Sequence, residues 1–139
     1  EWSVQVQGKM GAFGYLVYTQ YAYTRTTDSS PQSRANGEDG TQLIYIPIHS
    51  ANAYMKTVWR GFFIGWHIHF VGNQNTVGGS LGAFVLNDIS LGKRLQIGKS
   101  SFDARVKLNN MFDTQYQSVS ARAMPGRNFE ITIKYILNK

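Results

Sequence analysis

Two segments near the end of the chain alternate so strictly that each argues for a β-strand with two unlike faces. In the run from Phe129 to Leu137, the residues Phe129, Ile131, Ile133, Tyr135 and Leu137 share one side at period two. Glu130, Thr132, Lys134 and a single apolar exception, Ile136, share the other. The run from Phe102 to Asn109 repeats the scheme, with Phe102, Ala104, Val106 and Leu108 set against Asp103, Arg105, Lys107 and Asn109. The charged side of such a strand must meet water, because an unpaired charge is costly to bury.

Five further segments extend the pattern. The first runs from Trp2 to about Lys9. The second sets Tyr15, Val17, Thr19, Tyr21 and Tyr23 against Leu16, Tyr18, Gln20, Ala22 and Thr24, a two-sided pattern that does not fix its facing. The third, His49 to Trp59, sets Ala51, Ala53, Met55, Thr57 and Trp59 against Ser50, Asn52, Tyr54 and Lys56. In the fourth, Phe62, Ile64, Trp66, Ile68 and Phe70 oppose Phe63, Gly65, His67 and His69. A fifth and weaker segment covers Ala83 to Leu95, with Ile89 and Leu91 on the apolar side and Asp88 on the polar side.

The connections alternate in length. Met10 to Gly14, Arg60-Gly61 and Gly98 to Ser100 are short, while Thr26 to Gln42, Gly72 to Gly82 and Asp113 to Arg127 are long and polar. Aromatic residues make up 14% of the chain and charged residues only 16%, a balance that suits strands facing an apolar medium. No apolar run approaches the roughly 20 residues of a transmembrane helix, so a bilayer would have to be crossed by paired strands. Short turns at one end and long loops at the other lead to the expectation of an all-β fold, a transmembrane antiparallel up-and-down β-barrel. Trp2, Trp59, Phe62 and Tyr135 would then contribute to interfacial aromatic girdles. The start at Glu1-Trp2, already inside an alternating segment, leads to the expectation of a piece of a longer chain.

Several chemistries are disfavoured. Without Cys there is neither a disulfide nor a thiolate metal site. The net charge of +6 is scattered over strands and loops, with no basic run interleaved with aromatics, so no nucleic-acid partner is expected. Gly78-Gly79-Ser80-Leu81-Gly82 has the form of a nucleophile elbow but lacks a following helix. The expectation is therefore no enzyme, no catalytic residue and no cofactor. His67 and His69 point to one side of a strand and are the weak candidates for a metal, but no third ligand is visible. They are read instead, with Asp103, Arg105, Lys107, Glu130 and Lys134, as residues facing a water-accessible interior, where the charges would pair across the sheet.

The stretch Val106-Lys107-Leu108-Asn109-Asn110-Met111-Phe112-Asp113, followed by Tyr116 and by Pro125-Gly126-Arg127-Asn128-Phe129, resembles the C-terminal end of TonB-dependent outer-membrane receptors. Asn110, Phe112, Asp113, Tyr116, Pro125, Gly126, Arg127 and Phe129 carry the resemblance as a fold signature, with Met111 where Leu is usual. Tyr45-Ile46-Pro47 with His49 and Asn52 adds to it, so that the likeness spans roughly residues 45 to 137. Many members stop on an aromatic residue, whereas here Leu137 is followed by Asn138-Lys139.

The resemblance implies that residues 1–139 supply about seven C-terminal strands of a larger barrel, of the type with about 22 strands, without its plug domain. It implies TonB-energised uptake of a scarce nutrient of the iron-chelate, haem or cobalamin class, at the bacterial outer membrane. The alternatives are a passive porin segment and, less favoured, a soluble ligand-binding β-barrel. The implied partners are the N-terminal barrel strands and plug of the same receptor, the TonB complex through the missing N-terminal part, outer-membrane lipid and the small nutrient.

Overall fold

The computed structural model describes residues 1–137; the terminal Asn138-Lys139 lies outside the described residues. In chain order the elements are β1 (Trp2–Met10), β2 (Phe13–Tyr23), α1 (Pro31–Ala35), β3 (His49–Trp59), β4 (Phe62–Val71), β5 (Gln74–Thr76), β6 (Gly79–Leu81), β7 (Phe84–Ile97), β8 (Ser100–Asn109) and β9 (Asn128–Leu137). Seven strands form one sheet in the order β1-β2-β3-β4-β7-β8-β9, and β5 and β6 form a separate two-stranded sheet. Every pairing is antiparallel.

The period-two segments become strands because pairing keeps their parity in step across the whole sheet. One row runs Val6, Val17, Met55, Trp66, Ile89, Leu108, Phe129, each residue directly opposite the next. The row two residues away runs Gly8, Tyr15, Thr57, Ile64, Leu91, Val106, Ile131. A slip of one residue in any strand would move its apolar set to the charged face, so the pattern itself specifies register. Arg60 and Gly61 take positive φ of 46° and 80° in the β3–β4 turn. Glycine is required at the second position, because a Cβ there would lie 2.7 Å from the Arg94 carbonyl oxygen.

Two long connections hold structure that the polar composition hides. Ser30 caps α1, its Oγ accepting the Ser33 N–H at 3.2 Å, and Pro31 occupies the first turn, where its missing N–H costs nothing. An isolated bridge between Thr27 and Gln42 closes the base of this loop. The connection after β4 folds into the β5–β6 hairpin, and the Asn75 carbonyl accepts the Tyr45 N–H at 2.8 Å.

The expected transmembrane up-and-down barrel requires correction. Closure needs the first and last strands to hydrogen-bond to each other. Here β1 pairs with β2, β9 pairs with β8, and the two strands stand at opposite ends of the order. The result is two open antiparallel sheets. Among the described residues only Val71 and Leu81 are buried apolar side chains, whereas Ser33, Gln74, Ser101 and Asn110 are buried polar ones.

Candidate functional site

Strand parity gives the large sheet an apolar face, a charged face and two open edges. On the charged face the groups converge at Asp88 of β7. One of its carboxylate oxygens accepts the Asn110 N–H at 3.0 Å, and the other lies 2.9 Å from Lys107 Nζ and 3.8 Å from His67 Nδ1. Partial burial pushes this carboxyl upward, but the Asn110 N–H, the Lys107 ammonium and His67 outweigh it and hold it below the ordinary carboxylate range. His69 turns away from this centre, its Nδ1 lying 2.7 Å from Asn52 Oδ1. Burial, reinforced by His67, lowers the pKa of His69 against the opposing pull of Asp88. The imidazole centroids of His67 and His69 are 6.3 Å apart. Among the described residues no group of three or more His, Asp or Glu side chains is arranged to hold a metal ion.

Beside this cluster, Phe63 lies over Gly92, directly opposite it on the neighbouring strand, where a Cβ would collide with the ring. Lys56 and Arg105 flank the same ring, with the ammonium 5.2 Å and the guanidinium 5.3 Å from its centroid. A groove of about 470 Å³ runs past Tyr54, Phe63, His67, Asp88, Arg105 and Lys107. Further along the face, Arg94 donates two hydrogen bonds to Asp103, at 2.6 and 2.7 Å. This pairing holds the half-buried Asp103 carboxyl below its usual range and raises the guanidinium pKa.

The edge strand β9 carries the remaining charged candidates. Glu130 stands opposite Lys107 and Lys134 opposite Asp103, but those two partners are already engaged with Asp88 and Arg94. Among the described residues Glu130 and Lys134 enter no ion pair. Glu130 accepts the Thr132 hydroxyl at 3.1 Å. On the other face of β9, Phe129, Ile131, Ile133, Tyr135 and Leu137 are all exposed.

The signature residues serve the connection between β8 and β9. Buried Asn110 adopts a left-handed φ of 48°, and its side chain brackets Thr114, donating to the carbonyl at 3.0 Å and accepting from the N–H at 2.9 Å. Asp113, with φ of 54°, accepts the Arg127 N–H at 2.8 Å, so Arg127 ties the loop through its backbone. A Cβ on Gly126 would approach the Asp113 carboxylate to 2.9 Å. Tyr116 packs against Phe84 with centroids 4.7 Å apart, whereas Phe112 and Pro125 are exposed. Sequence reasoning misses Asp88 as a site residue; its only signal is a lone acid at polar parity in the Ala83 to Leu95 segment.

No protein-family model matches the chain, and no curated protein matches it either. The receptor resemblance is therefore corrected. Asn110, Asp113, Gly126 and Arg127 among its residues are accounted for by local chemistry: an Asn and an Asp in left-handed geometry, a backbone N–H held by that Asp, and a glycine set close against its carboxylate close one loop. The TonB-energised transporter reading falls with it, as do the porin and ligand-barrel alternatives. So do the implied partners, namely the receptor's other strands and plug, the TonB complex, lipid and a nutrient, together with the outer-membrane location. The open sheets and the ion pairs that close within the chain, Arg34–Asp39, Arg94–Asp103 and Lys107–Asp88, support the same correction.

Proposed function

We propose that the chain is a non-catalytic β-assembly module that works by extending its seven-stranded sheet through an edge strand. The observation that carries this reading is β9: ten residues of edge strand without Pro, with Phe129 and Ile133 73% and 72% exposed. An exposed, regular, apolar edge is a template for another strand unless short length, a bulge, Pro or repelling charge blunts it. The two charges of β9 have opposite sign, and they leave its apolar row uninterrupted. On the charged face Asp88, Lys107, Arg94 and Asp103 are committed to one another and to backbone, which favours a framework over reaction chemistry.

Light scattering on the full chain over roughly 1–100 μM, the range in which exposed strand edges associate, tests the reading. The expected outcome is a mass above that of one copy, rising with concentration. A single-copy mass throughout would sink it.

A further inference from the structure

We propose that the strand added to β9 is β9 of a second copy, in a two-fold antiparallel register centred on Thr132. This rests on the assembly reading above and specifies its partner.

The argument begins with parity. Directly opposed residues of antiparallel strands lie on one face, so β9 can meet its own copy without mixing faces only if the two-fold passes through a residue. Centring on Glu130 or Lys134 sets like charges against each other, which is unfavourable. Centring on Ile133 places Glu130 opposite Ile136, and centring on Ile131 leaves both charges opposite neutral residues. Centring on Thr132 places Glu130 opposite Lys134 of the second copy, and by symmetry Lys134 opposite the other Glu130. The same register opposes Thr132 to Thr132, Ile131 to Ile133 and Phe129 to Tyr135, all favoured cross-strand combinations.

Among the described residues no ion pair takes up these two charges. Lys107 and Asp103, their neighbours on β8, are held by Asp88 at 2.9 Å and by Arg94 at 2.6 Å. A two-fold through Thr132 and normal to the sheet keeps both apolar faces on the same side. The interface is isologous, so assembly at this edge stops at two copies. β1 is less suited to the role: the acid that parity could set against Lys9 in a self-paired register is Glu1, which lies outside the strand and already accepts the side-chain amide of Gln20 on β2.

The test uses the full chain with two independent readouts. Thr132→Cys is expected to form a disulfide-linked dimer under mild oxidation, since directly opposed residues sit within disulfide reach, while Ile131→Cys links poorly. E130K and K134E each place like charges at two symmetric positions and are expected to weaken dimerisation by about tenfold. The double variant E130K/K134E is expected to restore it, with circular dichroism confirming folded strands in every variant. Efficient linking in the Ile131→Cys variant but not in the Thr132→Cys variant, indifference to charge reversal, or no recovery in the double variant would each overturn this register while leaving self-association standing. A wild-type chain that stays a single copy removes the assembly reading and this proposal together.

Discussion

Asp88 is the residue on which the charged face depends, because three groups from three directions meet its two oxygens. The Asn110 N–H reaches it from just past β8, Lys107 from near the end of β8 and His67 from β4. Its pKa is held below the ordinary value of 3.8, so the folded state binds this proton less readily than the unfolded chain. That stability is fully present above the unfolded pKa and is lost as pH falls through the folded one. Urea midpoints are therefore expected to drop as pH decreases below about 4, and Asp88→Asn is expected to flatten that part of the profile. At neutral pH the same substitution removes a charged hydrogen-bond acceptor and is expected to cost about 1–3 kcal/mol. An unchanged acid limb would show that Asp88 does not bear the linkage. The lowered pKa of His69 adds an NMR expectation: its imidazole titrates below 6.5, and stability is lost as pH falls through that lower value.

Among the elements, β7 is where side-chain economy is tightest. Gly92 is buried beneath Phe63, and a Cβ there would also come within 2.6 Å of the Ala104 carbonyl oxygen. Because that oxygen belongs to backbone, Gly92→Ala is expected to cost about 1–3 kcal/mol in urea denaturation. Gly82→Ala, where nothing lies within 4 Å, should be close to neutral. Equal effects at the two positions would remove the steric account. Most strands of the large sheet are legible in the sequence because long alternating runs fix both type and facing, whereas the two-sided pattern of β2 fixes its type alone. The β5–β6 hairpin is not, since three residues per strand are too few to show a period. The helix α1 does leave a trace in Ser30-Pro31, an N-cap followed by proline, which the surrounding polar composition masks. The fate of the sheet is illegible for another reason: a period-two pattern is the same whether the ends of a sheet meet or stay apart. The Asp88 cluster depends on register between β4, β7 and β8, which no single segment encodes. The receptor-like motif has the look of ancestry where loop closure by Asn110 and Asp113 suffices.

At the scale of the whole molecule, the sheet has a gradient of backbone protection with two different ends. Strands β2, β3, β4, β7 and β8 are each paired on both sides, while β1 and β9 are each paired on one. If nothing added to the sheet, half of the backbone N–H groups in each end strand would face outward and exchange with solvent at similar rates. Pairing of β9 with its own copy breaks this equivalence, because it supplies carbonyl acceptors to the outward N–H groups of β9 and none to those of β1. Hydrogen exchange followed by mass spectrometry on the full chain, at concentrations where it associates, is therefore expected to show β9 slowed toward the central strands and β1 still fast. Dilution should release β9 while leaving β3 and β4 unchanged. Fast exchange at both ends regardless of concentration would mean that the sheet stays open at β9, and slow exchange at β1 with fast exchange at β9 would place the interface at the opposite edge.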